Sequence, residues 1–439
     1  MQFTSLLRRE RKYLLNEGKH PLSERACQKN SWLQTYGAVL CLAIVSWLAS
    51  LSYSILNQSA LPPYVQELGL TTHVGVIFAS FLVAETLFKS PMGSLGDKVG
   101  RRPIIAIGAF ISGLAAVGMS VANSLWTLIV LEALGGIGCA AVWPTITAAM
   151  GGAAPPKRRT TAMSVMMVTY MTGLALGPLV GGFANDCTNS RRTSFYIVGV
   201  LFLITAVISW LLTPHRTKEE VEAGLGEKEV ALKPSDLLVG LKSVPDMMLI
   251  AFVAFFAIGL LIPVVKLFAM NELGLSETSY GLLLLPLASV VAGVSLISGR
   301  LGDHWGKAQS VHVGLLICSV AMWTITVAKE TWQFAIAGTF LGVGFVIAMP
   351  AWLAFISEIS APLVRGAVIG ALATAQGIGA VAGASAGSYL YKLVRINIWG
   401  KELPLSSHYS PFVVSAMALT LCFILTLYFV RDGDKRRIG

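Results

Sequence analysis

Long apolar segments recur along this chain so regularly that few folds remain open to it. Stretches 36–57, 103–122, 194–213, 247–270, 308–328 and 409–430 each run about 20 residues with almost no charge, the length a helix needs to cross roughly 30 Å of hydrocarbon. Six less pure stretches of similar length lie between them, at 72–95, 124–150, 158–184, 278–298, 331–357 and 364–391. The composition is 55% hydrophobic and 13% charged, with a mean hydropathy of +0.70. One soluble domain cannot hide that much apolar surface, so lipid is the expected solvent. Lipid leaves an unpaired backbone group without a partner, and no ten-residue alternation of a barrel strand is present. The expected fold class is therefore an all-α membrane protein with twelve transmembrane helices.

Charge placement sets an orientation. With the N-terminus inside, most of the 33 Lys and Arg fall in segments on the cytosolic side, among them Arg8, Arg9, Lys98, Arg101, Arg102, Lys157, Arg158 and Arg159. The positive-inside rule then puts both termini in the cytoplasm of a multi-pass protein of a bacterial inner or plasma membrane. The net charge of +10 has the same origin, basic loops beside anionic lipid, and does not mark a nucleic-acid surface. Residues 1–35 are too charged for a cleavable signal peptide, and Leu6 to Leu15 reads as an amphipathic stretch on the inner membrane surface. Cys41, Cys139, Cys318 and Cys422 sit in apolar stretches, Cys27 precedes the first, and Cys187 stands alone in a loop, so no disulfide is expected. The six histidines are scattered without metal-ligand spacing, and neither a nucleophile motif nor a phosphate-binding glycine loop occurs. No cofactor, metal site or enzymatic activity is expected.

The chain is also a duplication. At one constant offset, Gly93, Leu95, Gly96, Asp97 and Gly100 fall on Gly299, Leu301, Gly302, Asp303 and Gly306. The same offset pairs Gly136, Gly138 and Pro144 with Gly342, Gly344 and Pro350, and Gly173, Gly177 and Gly181 with Gly379, Gly383 and Gly387. Glu67-Leu-Gly-Leu70 recurs one residue out of step as Glu272-Leu-Gly-Leu275. The expected organisation is a cytosolic N-terminal segment (1–35), a six-helix bundle (36–213), a polar cytosolic linker (214–246), a second six-helix bundle (247–430) and a cytosolic tail (431–439).

Two motifs carry a resemblance to a known family. Gly93-Ser-Leu-Gly-Asp97-Lys-Val-Gly100-Arg101-Arg102-Pro103, between the second and third apolar stretches, resembles the signature loop of the major facilitator superfamily, and a weaker copy runs from Gly299 to Lys307 with Asp303 in place of Asp97. The glycines permit a tight turn, while Asp97 and Arg101 can make charge pairs that break when two halves rock apart. Gly173-Leu-Ala-Leu-Gly177-Pro178-Leu-Val-Gly181-Gly182 resembles the fifth-helix motif of the family's proton-linked exporters. Its small residues four apart allow backbone-to-backbone packing, and Pro178 removes a helix hydrogen bond. The resemblance implies two pseudo-symmetric six-helix bundles of the major facilitator fold, with a cavity lined by the first, fourth, seventh and tenth helices. Exporters of this group carry an arginine in the fourth helix where this chain has Glu132.

Ionisable residues inside the apolar stretches are few: Glu85, Lys89, Glu132 and Lys266. Each would cost roughly 2.5–3.5 kcal/mol facing lipid at mid-membrane, so each is expected to meet a cavity or a partner. Glu85 and Lys89 are four apart and can neutralise one another. Glu132 lacks a local cation and is the preferred proton-coupling acid, ahead of Glu85. Lys266 reads either as a lysine snorkelling to the outer interface or as a cavity cation opposite Glu132. Tyr53, Asn57 and Gln58 in the first helix are further cavity candidates, as are Tyr170 and Gln376, which the duplication relates. The resemblance implies a proton-coupled exporter of amphipathic small molecules, such as drugs or an endogenous metabolite or siderophore, working as a monomer by alternating access. An importer or uniporter is the alternative on the same fold, and a non-transporting sensor or lipid scramblase is the reading from a different class.

Overall fold

The computed structural model describes residues 21–153, 159–212, 244–359, 365–393, 397–398, 401–402 and 407–431. The amphipathic stretch at Leu6–Leu15, the linker from 214 to 243 and the tail from 432 lie outside the described residues, as do the side chains of Asp97 and Asp303.

Among the described residues, twelve helices are long and apolar enough to cross a membrane. Spans 1 to 6 are Gly37–Glu67, Thr71–Gly96, Arg101–Met119, Leu125–Ala153, Ala162–Thr188 and Thr193–Leu212. Spans 7 to 12 are Pro245–Asn271, Glu277–Val294, Lys307–Val327, Thr331–Ile359, Val368–Tyr391 and Ser410–Phe429. The only strands among the described residues are the two-residue pair Asn397–Ile398 and Lys401–Glu402, antiparallel and outside the spans. Because successive spans run in opposite directions, turns 97–100 and 306 share one face with the ends of spans 4, 6 and 10. This is the basic face; turns 68–70, 189–192 and 272–276 lie on the opposite face.

Span 1 continues well beyond residue 57, where its apolar stretch ends. A π turn over Ile55–Ala60 hands over to a short helix, Leu61–Glu67, whose first positions carry Pro62 and Pro63. With no N–H on either proline, the carbonyls one turn back are left without their usual intrahelical donors, and the chain passes from the π turn into the short helix at this point. Span 7 breaks at the duplicated place: its first helix ends at Leu261, and a second, Val265–Asn271, restarts after Pro263.

Backbone conformation repeats as faithfully as sequence. Gly100 (φ 109) and Gly306 (φ 92) end the second helix of each half in a region closed to other residues. Gly69 and Gly274, the pair displaced by one residue, share positive φ as well. Helix packing in lipid relies on close approach rather than on hydrophobic drive. Accordingly, a Cβ on Gly108 would stand 2.7 Å from the Gly138 carbonyl, and one on Gly314 would stand 2.6 Å from the Gly344 carbonyl, so spans 3 and 4 meet as spans 9 and 10 do. Each half is thus a six-helix bundle.

Candidate functional site

The two halves meet along two seams near the opposite face. In the first, span 5 packs on span 8, and a Cβ on Gly281 would lie 2.8 Å from the Pro178 carbonyl carbon, while one on Gly182 would overlap the Glu277 carbonyl. In the second, span 2 packs on span 11, and a Cβ on Gly75 would overlap the Ala384 carbonyl. Ser388 donates to the Thr72 carbonyl beside it (3.1 Å). The duplication exchanges these seams, since Gly75, Pro178 and Gly182 correspond to Gly281, Ala384 and Ser388. The fifth-span motif therefore serves two interfaces. Gly173, Gly177 and Gly181 face Ser50, Ser54 and Ser59 of span 1 within the half, while Pro178 and Gly182 face span 8 across it.

Lys266 and Glu277 stand at the first seam. Lys266 is 2% exposed, and its Nζ donates to Glu277 Oε2 (2.7 Å), the Ser59 carbonyl (2.6 Å) and Ser59 Oγ (3.1 Å). An α-helical register would aim that carbonyl at the nitrogen of Pro63, which has no hydrogen, so the proline leaves an acceptor free for the lysine. Asn185 Nδ2 donates to Glu277 Oε2 (3.0 Å), and Arg191 Nε lies 3.7 Å from Oε1. Asp186 accepts from the Thr278 amide (2.9 Å) and hydroxyl (2.6 Å). Arg191 is itself held by the Pro63 carbonyl (2.6 Å) and by Glu67 (3.8 Å). Lys266 is thus neither snorkelling nor opposite Glu132: the break in span 7 turns it inward onto the inter-half contact.

Between the halves, on the basic-face side of these seams, lies a cavity of about 510 Å³. Its wall is mainly apolar and aromatic, with Phe78, Phe255, Phe345 and Trp352 among its residues. Tyr53, Asn57, Gln58, Gln376 and Lys266, five of the sequence candidates, line it, Lys266 with Tyr280 at the closed end. Two side-chain atoms on opposite halves are buried without a hydrogen-bond partner, Asn57 Oδ1 and Gln376 Nε2, while Asn57 Nδ2 donates to the Tyr53 carbonyl (3.2 Å).

Three other candidates lie elsewhere. Glu132 is fully buried behind the cavity wall, and neither of its carboxyl oxygens has a hydrogen-bond partner. Tyr170 packs edge-on against Trp143 at 4.9 Å. Glu85 pairs with Lys89 at 3.0 Å. Both fall seven residues beyond Phe78 and Leu82, so helical periodicity continues the cavity-lining row toward the basic face. Tyr53, at the cavity wall, packs its ring against Phe81 of span 2 with centroids 5.5 Å apart.

In the signature loop, Arg101 Nη1 donates to the Ala148 carbonyl of span 4 (2.6 Å) and packs on Gly152, while Arg102 lies over the Trp210 ring at 5.3 Å. The duplicated site repeats this reach with other chemistry: Lys307 pairs with Glu358 of span 10 at 2.6 Å. In this conformation these contacts stay within one half. Charge pairs through Asp97 or Asp303 lie outside the described residues.

Sequence reasoning missed Glu277. It follows the N-capping Ser276 at the first turn of a helix, where an acid is ordinary. The available signal was Lys266, eleven residues earlier across a short turn.

Two six-helix halves, in contact along two seams with a cavity beside them, define a multi-pass membrane transporter. The chain belongs to the Major Facilitator Superfamily, whose family model matches residues 42–246 and 247–438. It is 24% identical over 293 residues to the class B tetracycline resistance protein of Escherichia coli, covering 66% of this chain and 71% of that one. It is 26% identical over 305 residues to the multidrug resistance protein MdtG of Salmonella arizonae, covering 66% and 73%. The fold matches the crystal structure of the nucleoside transporter NupG with a TM-score of 0.76 at 12% identity, covering 90% of this chain and 100% of that one.

Proposed function

We propose that this protein is a proton-coupled antiporter that exports amphipathic organic molecules by alternating access, with its basic face in the cytosol. The observation that carries this reading is the cavity: apolar and aromatic walls with the amide residues Asn57, Gln58 and Gln376 among them, and close packing of the halves at the face away from the basic turns. Such a wall suits molecules that bury rings and satisfy a few polar groups. The names of the relatives, a tetracycline resistance protein and a multidrug resistance protein, support export of drug-like molecules. With the basic face inside, the conformation is open to the cytosol.

Glu132 supports the proton coupling. An ionised carboxylate at 0% exposure with neither oxygen bonded would be a naked buried charge, so this conformation holds the neutral acid. The acid then needs a second conformation, wetter around span 4, in which to exchange its proton. The test uses everted membrane vesicles with an imposed pH gradient and a panel of fluorescent amphiphiles. Gradient-driven accumulation of at least one amphiphile is expected, reduced at least about tenfold by Glu132→Gln. If no amphiphile responds to the gradient, the antiport reading fails. If the Glu132→Gln variant accumulates like the parent, coupling through Glu132 fails.

A further inference from the structure

Lys266 is the one charged side chain among the described residues that line the cavity. An ammonium has three N–H groups, and here they meet the Ser59 carbonyl (2.6 Å), Ser59 Oγ (3.1 Å) and Glu277 Oε2 (2.7 Å). The lysine side chain is 2% exposed, so almost none of its charge is open to a bound molecule. Glu277 does not line the cavity; it stands behind Lys266 and cancels it. Both residues belong to the second half, eleven positions apart, so the cancellation travels with the lysine when the halves part, and only the contacts to Ser59 are exchanged. Toward the basic face, the next charges along the lining row, Glu85 and Lys89, neutralise each other at 3.0 Å. The remaining polar lining is uncharged, with Tyr53, Gln58, Tyr280 and Gln376 the larger members.

We propose that the cavity selects uncharged amphiphiles, and that Glu277, by cancelling Lys266, is the residue that sets this selectivity. The inference rests on the export of amphipathic molecules argued above and narrows their class. A cation in the cavity meets no free carboxylate among the described residues and an anion meets no free ammonium, so either gives up hydration without gaining a counter-charge. The faces of Tyr53, Phe78 and Trp352 draw cations, but that attraction returns only part of the hydration a buried charge loses. An uncharged molecule escapes this loss: its rings bury against the apolar wall, and its few polar groups find amide and phenol partners. The balance is held by one carboxylate outside the cavity. Without Glu277 the closed end carries an uncompensated ammonium and favours anions; without Lys266 it carries an uncompensated carboxylate and favours cations.

The test is direct binding, with no gradient imposed. Three fluorescent probes share one ring system and differ in charge near neutral pH: dansylamide is uncharged, dansylcadaverine cationic and dansylglycine anionic. Each is titrated against the purified full chain in phosphatidylcholine nanodiscs, with empty nanodiscs as the blank. Dansylamide should bind at least about tenfold more tightly than either charged probe. Glu277→Gln should narrow the gap between dansylamide and dansylglycine, and Lys266→Met the gap between dansylamide and dansylcadaverine, each by about fivefold or more. A reciprocal shift of this kind is not expected from mere loosening of the seam, which would weaken the probes together. Either variant serves if the other does not fold, and a shift in the stated direction in either one supports the assignment. A charged probe that binds the parent as tightly as dansylamide overturns the proposal, as do gaps that stay unchanged, or move the opposite way, in the variants that fold. The failures are separable: tight binding of a charged probe refutes the selectivity and leaves the export of amphiphiles standing, whereas binding of none of the three refutes the amphiphile reading on which the selectivity rests.

Discussion

The two seams that join the halves descend from one duplicated contact, yet they differ in chemistry. Where Gly281 meets Pro178 and Gly182, the surrounding side chains are Lys266, Glu277, Asn185, Asp186 and Arg191. Where Gly75 meets Ala384, the neighbours are Thr72 and Ser388, and further toward the basic face a Cβ on Gly377 would make ordinary contact with Thr86 (3.6 Å). Thr71 stands at the position equivalent to Glu277. The shared part is backbone approach through small residues, which a rocking motion needs on both sides. Among the described residues the charged contacts belong to one seam, a latch by its chemistry, while the other is held by small-residue packing, as a pivot would be.

The largest test of that division removes the charge. Glu277→Ala leaves Lys266 buried with only Ser59 for a partner, and breaking such a pair costs about 3–5 kcal/mol. Thr71→Ala at the equivalent place should cost less than about 0.5 kcal/mol. Thermal unfolding of the two variants in the same detergent compares them, and equal losses would end the distinction between latch and pivot. Replacing both charges, as Lys266→Met with Glu277→Leu, should recover most of the lost stability, because no unpaired charge remains.

Packing should treat the seams alike. Gly75→Leu and Gly281→Leu each push a side chain into a backbone across the contact, an overpacking of about 1–3 kcal/mol that favours the parted state. The distance distribution between spin labels on Cys187 and Lys329→Cys, exposed in the first and second halves, should shift toward open by similar amounts in both, and a shift confined to one would mean that only that seam governs closure. The smallest effects concern single hydrogen bonds. Ser388→Ala and Asp186→Ala should each lower the closed fraction by an amount corresponding to about 1 kcal/mol or less, the aspartate being at a water-exposed edge. A markedly larger loss for Asp186→Ala would extend the latch beyond Glu277 and Lys266.

Much of the architecture is legible in the residues alone. Hydropathy located all twelve spans, because a lipid-crossing helix must declare its length in apolar residues. The duplication located the paired turns at Gly100 and Gly306, since only glycine holds their positive φ. It also related Gly173, Gly177 and Gly181 to Gly379, Gly383 and Gly387, which in both halves press onto the first helix of their own bundle. The site was less legible. Of the intramembrane charges, the Glu85–Lys89 pair formed as helical spacing requires, but Glu132 lies behind the cavity wall and Lys266 found a partner the spacing did not name. Periodicity tells which face of a helix a residue occupies, not which neighbour that face meets.

By itself the sequence determined a twelve-helix membrane protein built twice over, with its turns and small-residue positions in register between the halves. Those features are set by local rules: hydrocarbon thickness, proline's missing N–H, and the φ range open to glycine. Only the tertiary structure decided that Lys266 meets Ser59, 207 residues away, and that Glu277 meets Asn185, 92 residues away. Such pairings depend on how two bundles dock side by side, and that lateral arrangement arises from the summed fit of many helices rather than from the spacing of residues within any one of them.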